Sequence, residues 1–174
     1  MTNSVIKALI ERRSIRSFSS RRVDEDLLAA ILKAGTYAPT GMGKQSPRII
    51  VIESKEMRER IRRLNAEILG APEKDPFYGA PIILLVIADS SIRTCIEDGS
   101  LVIGNILNAA YSLGVDSIWI HRAREELETD DGKAILKEIG IEGDYIGIGH
   151  VALGYRDCDY PAPKERKKDY IYFV

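Results

Sequence analysis

Apolar positions along this chain recur with two periods, one helical and one of short continuous runs. Ile6, Leu9 and Ile10 follow Asn3 and Ser4 at helical spacing, predicting a first helix that buries those three residues and ends near Arg12 and Arg13. Asp24 opens a second helix, where its carboxylate is placed to cap free amides while Val23 and Leu28 staple the first turn. Leu27, Leu28, Ile31 and Leu32 form its stripe, and "GTYAPTG" breaks it. "RIIVIE" (48–53) reads as a short buried strand. Ser54 then caps a third helix carrying Met57, Ile61, Leu64 and Ile68. After the loop 70–81, "IILLVIA" (82–88) is a second buried strand.

From Glu97 to Leu113 the chain is apolar almost all round, which predicts a central, fully packed helix closed by Gly114. "VDSIWI" (115–120) is a third strand, 131–139 a further helix ended by Gly140, and "YIGIGHVALGY" (145–155) a fourth strand. The elements mix without clean βαβ alternation, so the expected class is α+β, a sheet packed between helices. "GIGHVALG" lacks the G-x-G-x-x-G spacing and no helix follows it, so its glycines read as strand glycines, not as a dinucleotide fingerprint. No repeat or linker interrupts the pattern, and 174 residues suit one domain, 1–174.

Composition narrows the function. With 25 basic and 26 acidic side chains the net charge is −1, whereas a nucleic-acid binder normally carries a basic excess. The longest apolar run, 80–88, is too short to span a bilayer, and the N-terminus lacks a secretory signal pattern, so the expected location is cytoplasmic. Cys95 and Cys158 show no paired spacing and read as core thiols. His121 and His150 are too isolated to form a metal cluster.

The chemistry concentrates in three separated segments. "ERRSIRSFSSRR" (11–22) holds five arginines and four serines, which would suit a nucleic-acid arm, a kinase substrate site, a solvated face or a phosphate pocket. "APTGMGKQSP" (38–47) is built of small residues that let backbone approach a ligand closely. "YPAPKERKK" (160–168) is stiffened by proline and brings Lys164 and Arg166. Arginine forks suit phosphate bidentately, Ser14 adds a hydroxyl donor, and one phosphomonoester of about two charges needs only two or three such partners. Arg21, Arg22, Lys167 and Lys168 read as solvated charge.

Taken in order, these segments resemble the FMN-dependent nitroreductase family over essentially the whole chain. The family's R-[RH]-S-x-[RK]-x-F reads here Arg12, Arg13, Ser14, Arg16, Phe18. Its A-P-[ST]-x-x-N-x-Q turn reads Ala38, Pro39, Thr40, Gly41, Met42, Gly43, Lys44, Gln45. A late strand ending over the flavin is matched by Trp119, Ile120, His121 and Arg122, and a terminal P-K-x-R by Pro163, Lys164, Glu165 and Arg166.

The resemblance implies a nitroreductase-like sheet between helices and bound FMN. Arg12, Ser14, Lys164 and Arg166 would hold the phosphate, with Arg13 at the ribityl or phosphate side. Arg16 would lie by the pyrimidine edge, where positive charge favours the reduced flavin anion, and Asn65 would contact the ring edge. Residues Pro39 to Gly41 would come from the partner of a homodimer, with FMN at the shared interface and the C-terminal tail exchanged across it. The activity implied is NAD(P)H-dependent reduction of a nitroaromatic, quinone or similar acceptor by a ping-pong route. The chemistry would lie at flavin N5, with no catalytic side chain and no metal. A flavin carrier, sensor or flavin-modifying relative is the alternative. Gly43 departs from the family's frequent Asn, and the short 70–81 loop leaves the pocket weakly roofed.

Overall fold

The computed structural model describes residues 2–174; of the expected 1–174 domain, only Met1 lies outside it. In chain order it has α1 (Ser4–Glu11), α2 (Glu25–Thr36), a 3₁₀ turn (Gly41–Gly43), β1 (Pro47–Ile52), α3 (Lys55–Ile68) and β2 (Ile82–Asp89). These are followed by α4 (Cys95–Ser112), β3 (Asp116–Ile120), α5 (Ala123–Glu128), α6 (Asp130–Glu138) and β4 (Tyr145–Gly154). The class is α+β, as expected. The four strands form one antiparallel sheet in the order β1-β2-β4-β3.

Period-two alternation on β2 explains how the sheet serves two cores. Ile83, Leu85 and Ile87 face the core built with α3, α5 and α6, together with Ile61, Leu64, Phe77 and Leu127. Ile82, Leu84 and Val86 face the core built with α2 and α4, against Ile31, Val102, Ile103 and Ile106. Both faces are dry, so β2 reads as an unbroken apolar run. Burying one such Leu or Ile contributes about 1.5–3 kcal/mol.

Local chemistry sets several boundaries. Asn3 caps α1 by accepting the Ile6 N–H at 2.9 Å, and Ser54 caps α3 by accepting the Met57 N–H at 3.1 Å. Thr129 separates α5 from α6, its hydroxyl accepting the Gly132 N–H at 3.0 Å. Gly147 sits at a β-bulge facing β2, where a Cβ would meet the Ala123 carbonyl oxygen at 2.0 Å. Only glycine lets β4 pass that close to α5.

Four expectations are corrected. Ile6, Leu9 and Ile10 do not form a buried face: they are 38%, 58% and 61% exposed, because α1 touches α4 and buries only Ala8 within the chain. β1 is an edge strand in which only Ile52 is fully buried, since no strand covers its outer side. Asp24 begins α2, but its carboxylate makes no capping bond; Val23 and Leu28 do share the core beneath it. Cys95 is buried, but Cys158 is exposed at the root of the tail, where no element packs over it. The six-residue α5, too short and too charged to leave a periodic signature, is an addition to the sequence reading.

Candidate functional site

The arginine segment leaves α1 as an extended strip against β3. Ile15 and Phe18 are buried anchors, and the Ile15 N–H donates to the Ser117 carbonyl at 3.2 Å. Alternation along this strip leaves Ser14 half-buried and Arg16 exposed. Phe18 is further tied through its N–H to the Tyr78 carbonyl at 3.1 Å.

Arg12 is half-buried, and its Nη1 is shielded from water with no hydrogen-bond partner among the described residues. Burial lowers its pKa, Tyr160 opposes this, and neighbouring Arg13 adds to it. Burying a guanidinium without a carboxylate is costly, and an orphaned cationic donor of this kind fits an oxyanion. Arg13 is committed mainly to the fold: its Nη1 donates to the Ile10 and Arg12 carbonyls, each at 2.8 Å, closing the C-terminus of α1. Its Nε is a second buried donor without a partner.

Tyr160 brings the tail to this place. Its hydroxyl donates to the Glu11 carbonyl at 2.9 Å and accepts the Arg13 N–H at 3.0 Å. Arg156, over the Tyr160 ring at 5.1 Å, is held by the buried Asp116 carboxylate at 3.2 Å. Lys164 and Arg166 are exposed beyond this root, and no hydrogen bond or ion pair among the described residues joins them to the 12–16 strip.

Pro39, Thr40, Gly41 and Gln45 lie in a second place, after α2. No hydrogen bond among the described residues joins this loop to the 12–16 strip. Its shape is set from below by Asp98 on α4, which is 2% exposed. Asp98 accepts the Gly41 N–H at 2.9 Å, the Ser46 hydroxyl at 2.9 Å and the Thr94 hydroxyl at 3.2 Å. Thr40 Oγ1 accepts the Gln45 N–H at 3.1 Å, while Met42, Gly43 and Gln45 have φ of 53°, 65° and 51°. Sequence reading missed Asp98 because two adjacent acids, Glu97 and Asp98, in the first turn of a helix look like ordinary dipole complement.

A third group gathers at the end of β3. Trp119 is half-exposed and its ring lies 5.8 Å from that of the exposed His121, with Ile120 buried between them. Arg122 follows with φ 80° and ψ 3°, in the left-handed region, and starts α5. Trp119, His121 and Arg122 help line a cavity of about 450 Å³. Asn65 is fully buried: its amide nitrogen donates to the His121 carbonyl at 3.0 Å and to Glu126, and its oxygen accepts from Arg122 Nε at 2.9 Å. Glu126 and His150, which meet behind Asn65, carried no signal in the sequence because they lie 24 residues apart on different elements. The structure thus unites 12–16 with the root of the tail and 119–122 with Asn65, and keeps 39–45 apart.

The Nitroreductase family model matches residues 9–155. The chain belongs to that family. A protein of Methanothermobacter thermautotrophicus named "Putative NADH dehydrogenase/NAD(P)H nitroreductase" is 35% identical over 157 residues, 87% of this chain and 76% of that protein. A nitroreductase of Bacteroides fragilis with bound FMN superposes with a TM-score of 0.89 at 28% identity, covering 99% of this chain and all (100%) of the other. A nitroreductase of Desulfitobacterium hafniense, also with bound FMN, superposes with a TM-score of 0.86 at 28% identity over 100% of both chains.

Proposed function

We propose that this chain, as one domain over 1–174, is an FMN-dependent oxidoreductase that uses NAD(P)H to reduce a nitroaromatic, quinone or similar acceptor. The observation that carries the reading is Arg12, a half-buried guanidinium with an orphaned donor and no carboxylate beside it. The relatives with bound FMN support the same cofactor for this chain.

Arg12, Ser14, Lys164 and Arg166 hold the phosphate, each guanidinium or ammonium through charge-assisted hydrogen bonds. Arg13 closes α1 and turns its remaining donor to the ribityl or phosphate side. Arg16 places a cation at the pyrimidine edge, and Asn65 and the 119–122 turn border the ring. FMN, when bound, supplies the hydride and electron chemistry. The side chains bind, orient and exclude water.

The protein works as a homodimer with the flavin at the interface. Val5, Leu9 and Ile10 leave an apolar stripe on α1, and Tyr170 to Val174 form an apolar tail that is 71–126% exposed. β1 offers a bare edge beside a groove of about 760 Å³ lined by Leu32, Ile49, Val51 and Ile141. The partner's tail fills that groove as an added strand, and the partner's 39–45 loop completes the flavin site. Donor and acceptor then use one open face in turn, giving ping-pong turnover. No helix among the described residues is long and apolar enough to cross a membrane, and the proposed location is cytoplasmic.

Purification of a yellow protein that oxidises NAD(P)H, faster with a quinone present, tests the reading. A yellow protein inert to both nicotinamides would overturn the enzymatic part and leave a flavin carrier or sensor.

A further inference from the structure

Behind the 119–122 turn lies a chain of buried polar groups. Glu126 on α5 is 1% exposed, and His150 on β4 and Asn65 on α3 are 0% exposed. His150 Nε2 stands 3.0 Å from Glu126 Oε2. The approach is short without hydrogen-bond alignment, and Oε2, Nε2 and Nδ1 have no other partner among the described residues. Phe77 closes the far side, its ring edge-on to the imidazole at 5.2 Å.

Such a pair is poor value for stability, since well-packed apolar residues of similar volume often serve as well or better. The use of Glu126 lies at its other oxygen. Oε1 accepts from Asn65 Nδ2, which also donates to the His121 carbonyl at 3.0 Å, while Asn65 Oδ1 accepts from Arg122 Nε at 2.9 Å. A carbonyl oxygen only accepts and a guanidinium only donates, so the amide has one permitted orientation. Reversed, it would set oxygen against oxygen at the His121 carbonyl and donor against donor at Arg122. Arg122 needs this clasp, because its φ of 80° is disfavoured for any residue bearing a Cβ.

We propose that Glu126 is a positioning residue: through Asn65 it holds the His121–Arg122 turn in its strained form and fixes where the Arg122 guanidinium points. Only Nε of that guanidinium is bonded among the described residues. Its two Nη groups are therefore available to an anionic group of a ligand in the 450 Å³ cavity beside Trp119. The ligand part rests on the reading that this turn borders the flavin; the clasp itself does not.

The experiment compares the full-length double variant Glu126→Leu/His150→Leu with Glu126→Gln, by amide hydrogen exchange and thermal melting. Gln keeps an acceptor for Asn65 and places an amide donor toward His150. In the leucine pair, exchange at residues 121–124 accelerates at least tenfold while the melting temperature holds, and Glu126→Gln restores protection. Unchanged exchange at that turn, or acceleration spread through the whole chain with a fallen melting temperature, would overturn the clasp. If the leucine pair fails to fold, Asn65→Ala reads the same clasp: exchange at residues 121–124 accelerates at least tenfold, and unchanged exchange there overturns it. With FMN bound, the flavin's visible circular dichroism changes in the leucine pair. Accelerated exchange with unaltered flavin dichroism would leave the clasp standing and refute only the turn's place beside the flavin.

Discussion

The Tyr160 hydroxyl and the Arg13 backbone N–H are 3.0 Å apart, 147 residues distant in sequence, and the same hydroxyl donates to the Glu11 carbonyl at 2.9 Å. This one side chain ties the root of the tail to the end of α1, and so links the two cationic segments. Tyr160→Phe removes both bonds, each worth about 0.5–1.5 kcal/mol. FMN should bind roughly tenfold more weakly, as read by quenching of flavin fluorescence, and the melting temperature should fall by a few degrees.

The same hydroxyl predicts an alkaline limit. Burial raises the Tyr160 pKa above its ordinary value of 10.0, with the Arg13 N–H and cation opposing. A group raised in the folded state binds its proton more tightly there than in the unfolded chain. Its contribution is therefore complete below about pH 10 and is lost as pH rises through the folded value. Denaturant midpoints measured across that range should fall more steeply for the wild type than for Tyr160→Phe.

Arg12 and Arg166 should act together on the cofactor. Each loses a charge-assisted contact worth about 1.5–3 kcal/mol when replaced by Ala, so the double variant should purify colourless. Arg12→Ala alone should not lower the melting temperature of the flavin-free protein, because it removes a buried cation that has no carboxylate beside it. Full flavin occupancy in the double variant would refute the phosphate assignment.

Asp98 governs the loop expected to reach across the dimer. Asp98→Ala leaves the Gly41 N–H and the Ser46 hydroxyl without their acceptor, at about 1–3 kcal/mol for each buried group. Thermal melting should drop by several degrees. Asp98→Asn, which retains one acceptor oxygen, should lose less. Equal losses would mean that charge, and not the acceptor geometry, holds the loop.

Removal of residues 169–174 should turn a sedimenting dimer into a monomer that loses its flavin, since the bare β1 edge and the α1 stripe would lack their cover. In the intact dimer, steady-state kinetics should give parallel double-reciprocal plots, and intersecting plots would refute the shared face. His121→Ala and Cys158→Ala, both exposed side chains, should change kcat little. Arg16→Ala should lower the flavin's reduction potential, because a cation there favours negative charge on the reduced ring.

The sequence alone determined what depends on neighbours along the chain. Continuous apolar stretches located β2 and α4, Asn3 and Ser54 marked helix starts, and the spacing within "RRSIR", "APTGMGKQ" and "PKER" carried the family resemblance. Each of these follows from interactions within a few residues, so a linear pattern can express it. Tertiary structure decided what depends on which elements meet. It left Ile6, Leu9 and Ile10 exposed because a helix's apolar face is buried only where another element covers it. It also joined Asn65 on α3, Arg122 and Glu126 at the start of and within α5, and His150 on β4, three separate elements, and set Asp98 under a loop more than fifty residues away. Buried polar groups must find partners in space, and spatial neighbours on different elements leave no periodic trace in a single sequence.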